Sequence, residues 1–206
     1  MKHYKALIFD FDGTLIISNQ LKIDAYYDIF ERNDLDHSLI RGILESYPEL
    51  NRYDTIRKIL EKANCDYNLS ALSETYSKLV FNRIIKAKNL DHAEELLEYL
   101  NSKGIKLFLS SNTPVIVLKE IIDYKDWNKY FDRIYGFPDK KADIIKQIIK
   151  EFKFKEEDCL VIGDGESDRL SALINGIDFC RITTNSLLSL VKYLEIDLSE
   201  LNIYSN

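Results

Sequence analysis

Two aspartates, Asp10 and Asp12, directly follow the first apolar run of the sequence, Ala6–Phe9. A short apolar run that stops at acidic residues is typical of a buried strand in a parallel sheet. Because side chains two residues apart on an extended chain point to the same side, both carboxylates can enter one crevice. Gly13 then permits a sharp turn. Carboxylates held close together repel each other, so this spacing predicts raised pKa values or a bound cation.

Two later segments carry the other side chains that such a site would need. The segment Ser110-Ser111-Asn112-Thr113 precedes a predicted helix, and its hydroxyls and backbone N–H groups suit an anion. The segment from Gly163 to Asp168 follows another apolar run and adds the carboxylates of Asp164 and Asp168. Glu166, in the same segment, is interpreted as a solvated loop residue. Lys140 and Lys141 open a predicted helix between the two segments.

These residue types together indicate chemistry on a phosphoryl group. A hard divalent cation with oxygen ligands would satisfy the carboxylates, and Mg²⁺ characteristically takes few carboxylates plus waters and a phosphate. The metal, a lysine and a hydroxyl would neutralise the phosphoryl group, which leaves one carboxylate to attack and another to handle protons.

The elements that must position these residues follow from the hydrophobic pattern. From about Asn19 to Ala87 the pattern is helical, without a strong strand candidate, and after that strands alternate with helices. Alternation predicts a parallel sheet covered on both faces, with ligands bound beyond the carboxyl ends of its strands. The predicted strands are Ala6–Phe9, Ile105–Leu109, Arg133–Tyr135, Cys159–Ile162 and Phe179–Ile182. The predicted helices are Leu21–Arg32, Ser38–Glu45, Asp54–Ala63, Leu69–Lys86, Asp91–Lys103, Pro114–Tyr124, Ala142–Phe152, Ser167–Asn175 and Ser186–Leu194.

The predicted fold class is therefore α/β, a three-layer α/β/α parallel-sheet core with an inserted all-helical cap domain. Residues 1–17 and 88–206 form the predicted catalytic core, and residues 18–87 form the predicted cap. With 46% hydrophobic and 30% charged residues, the chain has enough apolar material for a real core.

Charge and cysteine usage limit the possible partners and compartments. The formal net charge of -6 argues against nucleic acid or an anionic membrane as the main partner, because both attract basic surfaces. Neither a signal peptide nor a membrane span is expected. The three cysteines are far apart and form no metal-binding pattern, which predicts reduced thiols in a cytoplasmic protein. The oligomeric state is left open.

The chain resembles the haloacid dehalogenase-like hydrolase superfamily, in the phosphatase branch with a helical cap, to which phosphoglycolate phosphatases and β-phosphoglucomutase-like enzymes belong. Its signature segments occur in order over nearly the whole chain: Asp10-Phe11-Asp12-Gly13-Thr14-Leu15, Ser111-Asn112, Lys141, and Gly163-Asp164 with Asp168. Ile17-Ser18 stands where the family often has Asp-Ser, which weakens a sub-family assignment but leaves the chemistry intact.

The resemblance implies a role for each matching residue. Asp10 would be the nucleophile that forms an aspartyl-phosphate and also binds Mg²⁺. Asp12 would be the general acid/base, with its backbone carbonyl on the metal. Asp164 would be a further metal ligand, and Asp168 would bind the metal or orient its water and Lys141.

The phosphoryl oxygens would be held by Ser111 and Lys141, helped by the backbone of Asn112. Ser110 and Lys140 remain alternatives, although the serine directly before Asn112 and the lysine at the helix start match the family better. In the helical region, Arg52 is similar to a cap arginine of β-phosphoglucomutases that contacts the distal phosphate of the substrate. The alternative for Arg52 is a solvated basic helix face.

The implied function is Mg²⁺-dependent hydrolysis of a small phosphorylated metabolite. True dehalogenases of the superfamily lack the second aspartate, whereas Asp12 is present here. A sugar phosphomutase would use the same nucleophile and is the main alternative. A receiver-type signalling domain shares the residue types but is much shorter and lacks an inserted helical region.

Overall fold

A computed structural model of the chain describes residues 3–30, 35–48 and 50–201. The chain divides into two compact units, one formed by the residues up to Ile17 together with those from Ala87 onward, and the other by Ser18–Lys86. No helix in the described part of the chain is both long enough and apolar enough to cross a membrane.

Within the described residues of the first unit, five strands form one sheet in the order β3-β2-β1-β4-β5, and every neighbouring pair is parallel. The strands are β1 (Ala6–Phe9), β2 (Lys106–Pro114), β3 (Arg133–Phe137), β4 (Cys159–Gly163) and β5 (Asp178–Arg181). The helices of this unit are α5 (Ala93–Ser102), α6 (Val115–Tyr124), α7 (Lys141–Phe152), α8 (Glu166–Ile174) and α9 (Leu188–Tyr193). The predicted α/β fold class is confirmed.

Both faces of the central strand are buried, which explains its uninterrupted apolar sequence. Ala6 and Ile8 pack with Ile144 and Ile148 of α7 in one hydrophobic cluster. The intervening residues of β1 are also fully buried, as expected for a parallel sheet covered on both faces.

The register of the sheet brings three polar segments to one level. Phe9 lies opposite Leu109 of β2 and Ile162 of β4. The residues that follow these three positions therefore lie side by side. The carboxyl ends of parallel strands lie at the same edge of a sheet, so these polar segments meet at one edge.

β2 extends further than the sequence predicts. It continues through the polar segment to Pro114, with a register shift against β3 between Ser110 and Pro114. Gly136 of β3 permits this close approach, because a Cβ at that position would lie 2.5 Å from the carbonyl oxygen of Thr113. The polar residues beyond the predicted strand end at Leu109 thus have strand geometry.

The second unit is helical: none of its described residues, between Ser18 and Lys86, lies in a strand. Its helices are α1 (Asn19–Phe30), α2 (His37–Ser46), α3 (Arg52–Ala63) and α4 (Leu69–Ile84). Side chains cap three of them, as expected for Asp and Asn at helix starts: Asp36, Asn51 and Asn68 accept hydrogen bonds from backbone N–H groups two or three residues later. The predicted end of the first helix, Arg32, lies outside the described residues.

The two segments that connect the units are paired within the first unit. Ile17 N–H donates to Lys88 O at 2.9 Å, and Leu90 N–H donates to Leu15 O at 2.9 Å. Ile16 and Asn89 form an antiparallel bridge. The chain therefore leaves and re-enters the α/β unit at neighbouring points.

Candidate active site

Asp10 directly follows β1, and two side chains donate hydrogen bonds to its carboxylate. Its N–H donates to Ile162 O at 2.8 Å, which fixes the backbone against β4. Its Oδ1 accepts from Lys141 Nζ at 2.6 Å, and its Oδ2 accepts from the Thr14 hydroxyl at 3.3 Å. The residue is only 5% exposed. A carboxylate held in one orientation can act as a nucleophile.

Lys141, the first residue of α7, joins two of the carboxylates. Its Nζ lies 2.6 Å from Asp10 Oδ1 and 2.6 Å from Asp168 Oδ1. Burial lowers the pKa of Lys141, but the two carboxylates outweigh burial and the pKa is raised overall, so the ammonium group stays charged. Lys140, the alternative from sequence, is exposed. The structure thus brings Lys141 into the cluster with Asp10.

The carboxylate of Asp12 turns toward β2. Its Oδ2 accepts from the Thr113 hydroxyl at 2.9 Å and lies 3.5 Å from the Ser111 hydroxyl. Ser111 Oγ in turn accepts from Thr113 N–H at 3.0 Å. Asn112, between them, is exposed. Ser110 is buried, and its hydroxyl has no hydrogen-bond partner among the described residues.

Asp10, Asp164 and Asp168 form an acidic cluster in which one carboxylate oxygen of each lies within 4.8 Å of the others. Such a set of hard oxygen donors fits a divalent cation. Among the described residues, the carboxylate of Asp12 is not part of this set.

The pKa shifts of the buried carboxylates also favour a divalent cation at this cluster. Burial, together with the neighbouring charge of Asp10, raises the pKa of Asp168 to about 6, although Lys141 lowers it. Burial likewise raises the pKa of Asp10, and Lys141 offsets this only in part. One ammonium group therefore does not neutralise the carboxylates. A divalent cation would favour their ionised forms.

The segment after β4 is shaped around Asp168. A Cβ on Gly163 would lie 2.3 Å from Asp168 Cγ, so glycine is required there. Asp168 Oδ2 accepts from Gly165 N–H at 3.2 Å while its Oδ1 faces Lys141. Asp168 is 2% exposed, whereas Asp164 is half-buried.

Sequence reasoning assigned no role to Thr14 or Thr113, although both hydroxyls contact a predicted catalytic carboxylate. Thr113 shares a face with Ser111 because residues two apart on a strand point to the same side, and this requires β2 to continue past the predicted strand end at Leu109. Thr14 lies within the first signature segment, where the turn at Gly13, with φ of 76°, directs the chain back toward Asp10.

Arg52 belongs to the helical unit, where it is the first residue of α3 and is half-buried. Tyr26 lies near it: burial raises the pKa of Tyr26, hydrogen bonds from Tyr76 and Thr55 lower it, and the charge of Arg52 lowers it slightly. Arg52 is thus adjacent to a buried group of hydroxyls within this unit.

Comparison with known proteins identifies the family. The sequence profile of the haloacid dehalogenase-like hydrolases matches residues 7–182. A phosphoglycolate phosphatase from Aquifex aeolicus is 31% identical over 177 residues, which cover 80% of this chain and 78% of the relative. A phosphorylated carbohydrates phosphatase from Thermotoga maritima is 28% identical over 185 residues, 84% of this chain and 82% of the relative.

A solved structure supports the fold. The HAD-hydrolase YfnB from Bacillus subtilis, bound to magnesium, superimposes with a TM-score of 0.75 at 18% sequence identity, over 95% of this chain and all of the other. The family match and the phosphatase relatives confirm the predicted enzyme class. The chain belongs to the haloacid dehalogenase-like hydrolase family.

Proposed function

We propose that this protein is a Mg²⁺-dependent phosphatase that hydrolyses a small phosphomonoester through an aspartyl-phosphate on Asp10. The observation that carries the proposal is the position of the Asp10 carboxylate. It is buried, contacts Lys141 at 2.6 Å, and lies within 4.8 Å of carboxylate oxygens of Asp164 and Asp168. The phosphatase names of the relatives agree with this reading.

Two displacements at phosphorus would complete the reaction. In the first, an oxygen of Asp10 bonds to phosphorus while the bond from phosphorus to the substrate oxygen breaks, and Asp12 gives its proton to that leaving oxygen. In the second, Asp12 takes a proton from water as the water oxygen attacks phosphorus. The bond from phosphorus to Asp10 then breaks, which releases inorganic phosphate and restores both aspartates.

The other residues would bind and neutralise the phosphoryl group. Lys141, the Ser111 hydroxyl and the backbone of Asn112 would hold its oxygens. Bound by Asp10, Asp164, the Asp12 carbonyl and Asp168, Mg²⁺ would supply further positive charge against the phosphoryl oxygens. Thr113, at 2.9 Å from Asp12, would keep that carboxyl group oriented for proton transfer.

We assign residues 18–87 the role of a cap that selects the substrate, and residues 1–17 and 88–206 the role of the catalytic core. Closure of a cap excludes water during phosphoryl transfer, and reopening admits it for hydrolysis and product release. The proposed substrates are small phosphorylated metabolites, in line with the phosphoglycolate and carbohydrate phosphatases among the relatives. Three cysteines present as thiols agree with a cytoplasmic enzyme.

Removal of the metal is the first test. Activity on p-nitrophenyl phosphate should vanish in EDTA and return with Mg²⁺, because the acidic cluster needs a divalent cation. At a Mg²⁺ concentration 100 times its dissociation constant, binding should stabilise the fold by about 2.7 kcal/mol. For a chain of this size that corresponds to a rise in Tm of about 5–10 °C. Differential scanning fluorimetry would measure it.

The matched control is Asp164→Asn, which removes one ligand and should abolish most of that rise. Full activity in metal-free buffer would contradict the metal site. Phosphate release equal to substrate consumed would separate a phosphatase from a phosphomutase, whose product keeps the phosphoryl group.

A second test concerns substrate selection by Arg52. If Arg52 binds the part of the substrate away from the reacting phosphate, Arg52→Ala loses a charge-assisted hydrogen bond of about 1.5–3 kcal/mol. The best substrate in a screen of phosphorylated metabolites should then lose about ten- to a hundred-fold in kcat/KM. The aryl phosphate, which lacks a distal group, should be nearly unaffected.

Arg57→Ala provides the control, because Arg57 is exposed on the same helix and its contacts with Asp54 and the Tyr53 ring are local. Equal losses on both substrates would assign Arg52 a structural role. No loss on either substrate would mean that Arg52 does not contact the substrate and belongs to a solvated basic helix face.

A further inference from the structure

The segment that carries Asp164 is also bound by Arg181, the last residue of β5, and by Ile182, which follows it. Gly163 lies opposite Arg181 in the sheet, and Ile182 N–H donates to Gly163 O at 2.9 Å. The guanidinium group of Arg181 contacts two further residues of this segment. One terminal nitrogen donates to Asp164 O at 3.1 Å, and the other to Glu166 Oε2 at 3.1 Å.

Glu166 is exposed, as the sequence predicts, but it is the first residue of α8 and not a loop residue, and two arginines bind its carboxylate. Its carboxylate also accepts from Arg169, whose Nε lies 2.9 Å from Oε1 and 3.0 Å from Oε2. Hydrogen bonds from Arg169 and then Arg181 lower the pKa of Glu166, so the carboxylate stays ionised. This carboxylate binds the guanidinium group of Arg181 next to the segment that carries Asp164.

The geometry of the contact requires arginine. A guanidinium group presents donors in a rigid planar fork, so Arg181 can bind a backbone carbonyl and a carboxylate at once. The ammonium group of a lysine is a single point charge and cannot span both acceptors in the same way. Arg181 thus links the carbonyl of Asp164 to the start of α8 in one fixed arrangement.

Stability does not explain this network. The side chains of Arg181 and Glu166 are 42% and 47% exposed, and ion pairs with such exposure contribute little to the free energy of unfolding. The network instead fits a role in positioning, because a metal ligand must lie within about 0.5 Å of its productive position. Asp10 and Asp168 are fixed on the inside by Lys141. Arg181 supplies the corresponding restraint on the backbone of Asp164.

We propose that Arg181 is a positioning residue that sets the affinity of the active site for Mg²⁺ by holding the backbone of Asp164. The inference rests on the proposed function, since it assumes that Asp164 binds the metal. Residues that support metal ligands from behind typically change metal affinity by 10- to 100-fold when they are removed. Because the contact to Asp164 passes through its backbone, we expect an effect at the lower end of that range.

The experiment measures Mg²⁺ binding directly, by isothermal titration calorimetry without substrate. Arg181→Met should raise the dissociation constant for Mg²⁺ about tenfold. Arg181→Lys should stay closer to Arg181→Met than to the wild type, because the fork is lost although the charge remains. At saturating Mg²⁺ the kcat of Arg181→Met on p-nitrophenyl phosphate should recover to near the wild-type value.

Arg133→Met is the matched control. Arg133 is an exposed arginine at the start of the other edge strand, β3, and pairs with Glu151 at 3.3 Å. Its replacement should leave Mg²⁺ affinity unchanged. A dissociation constant for Arg181→Met within twofold of the wild type would overturn the inference, as would a change confined to KM. Failure of the wild-type protein to bind Mg²⁺ would instead overturn the proposed metal site itself.

Discussion

Replacing Asp10 with asparagine should abolish turnover and the phosphoenzyme together. An amide of the same shape cannot form the bond to phosphorus, and loss of a nucleophile costs on the order of 10⁴-fold or more in kcat. The variant should remain folded, because Lys141 keeps its 2.6 Å contact with Asp168. Steady-state release of phosphate and rapid acid quench with a ³²P-labelled substrate would measure the two losses, and circular dichroism would check the fold.

Asp12→Asn provides the informative contrast. It keeps the backbone carbonyl and leaves the acidic cluster of Asp10, Asp164 and Asp168 intact, so Mg²⁺ binding should persist. Proton transfer to the leaving oxygen should fail, with a loss of about 10²–10⁴-fold. Substantial turnover by Asp10→Asn would rule out covalent catalysis by that residue.

Replacing Lys141 with methionine should reduce both stability and activity. The ammonium group lies between two buried carboxylates, and breaking a buried ion pair by removing one partner costs about 3–5 kcal/mol. Loss of a charge that holds the phosphoryl oxygens should lower kcat by a further 10²–10³-fold. Urea unfolding in metal-free buffer would measure the first effect and phosphate release at saturating Mg²⁺ the second.

The double variant Lys141→Met with Asp168→Asn separates the two causes. It removes one of the unpaired charges, so it should recover part of the stability without recovering activity. An unchanged free energy of unfolding in Lys141→Met would mean that the carboxylates are compensated without the lysine. Lys140→Met, at an exposed neighbouring position, should change neither quantity.

Much of the fold follows from local pattern, because parallel strands that are buried on both faces leave short apolar runs. The end of β1 at Phe9, the end of α7 at Phe152 and the glycines after α5 and α8, with φ of 74° and 66°, all follow from residue type and spacing. The candidate nucleophile and acidic residues could be located for the same reason, since strand ends gather at one edge.

The contacts that depend on register between distant segments could not be predicted in this way. The hydrogen bond from Thr113 to Asp12 requires β2 to continue as a strand past Ser110, with a shift in pairing that only Gly136 permits. The link from Arg181 to Glu166 joins residues 15 positions apart on different elements. No local periodicity encodes either contact.

The paired segments at Ile16–Ile17 and Lys88–Leu90 also bear on how such proteins diversify. The chain leaves the α/β unit and returns to it across a single pair of hydrogen bonds, so the ends of the intervening stretch are already held together. Under that condition the entropic cost of loop closure grows only slowly with the length of whatever is inserted. The same sheet can therefore accept a short turn or a whole helical unit at this position, without a change in the strands that carry the acidic residues.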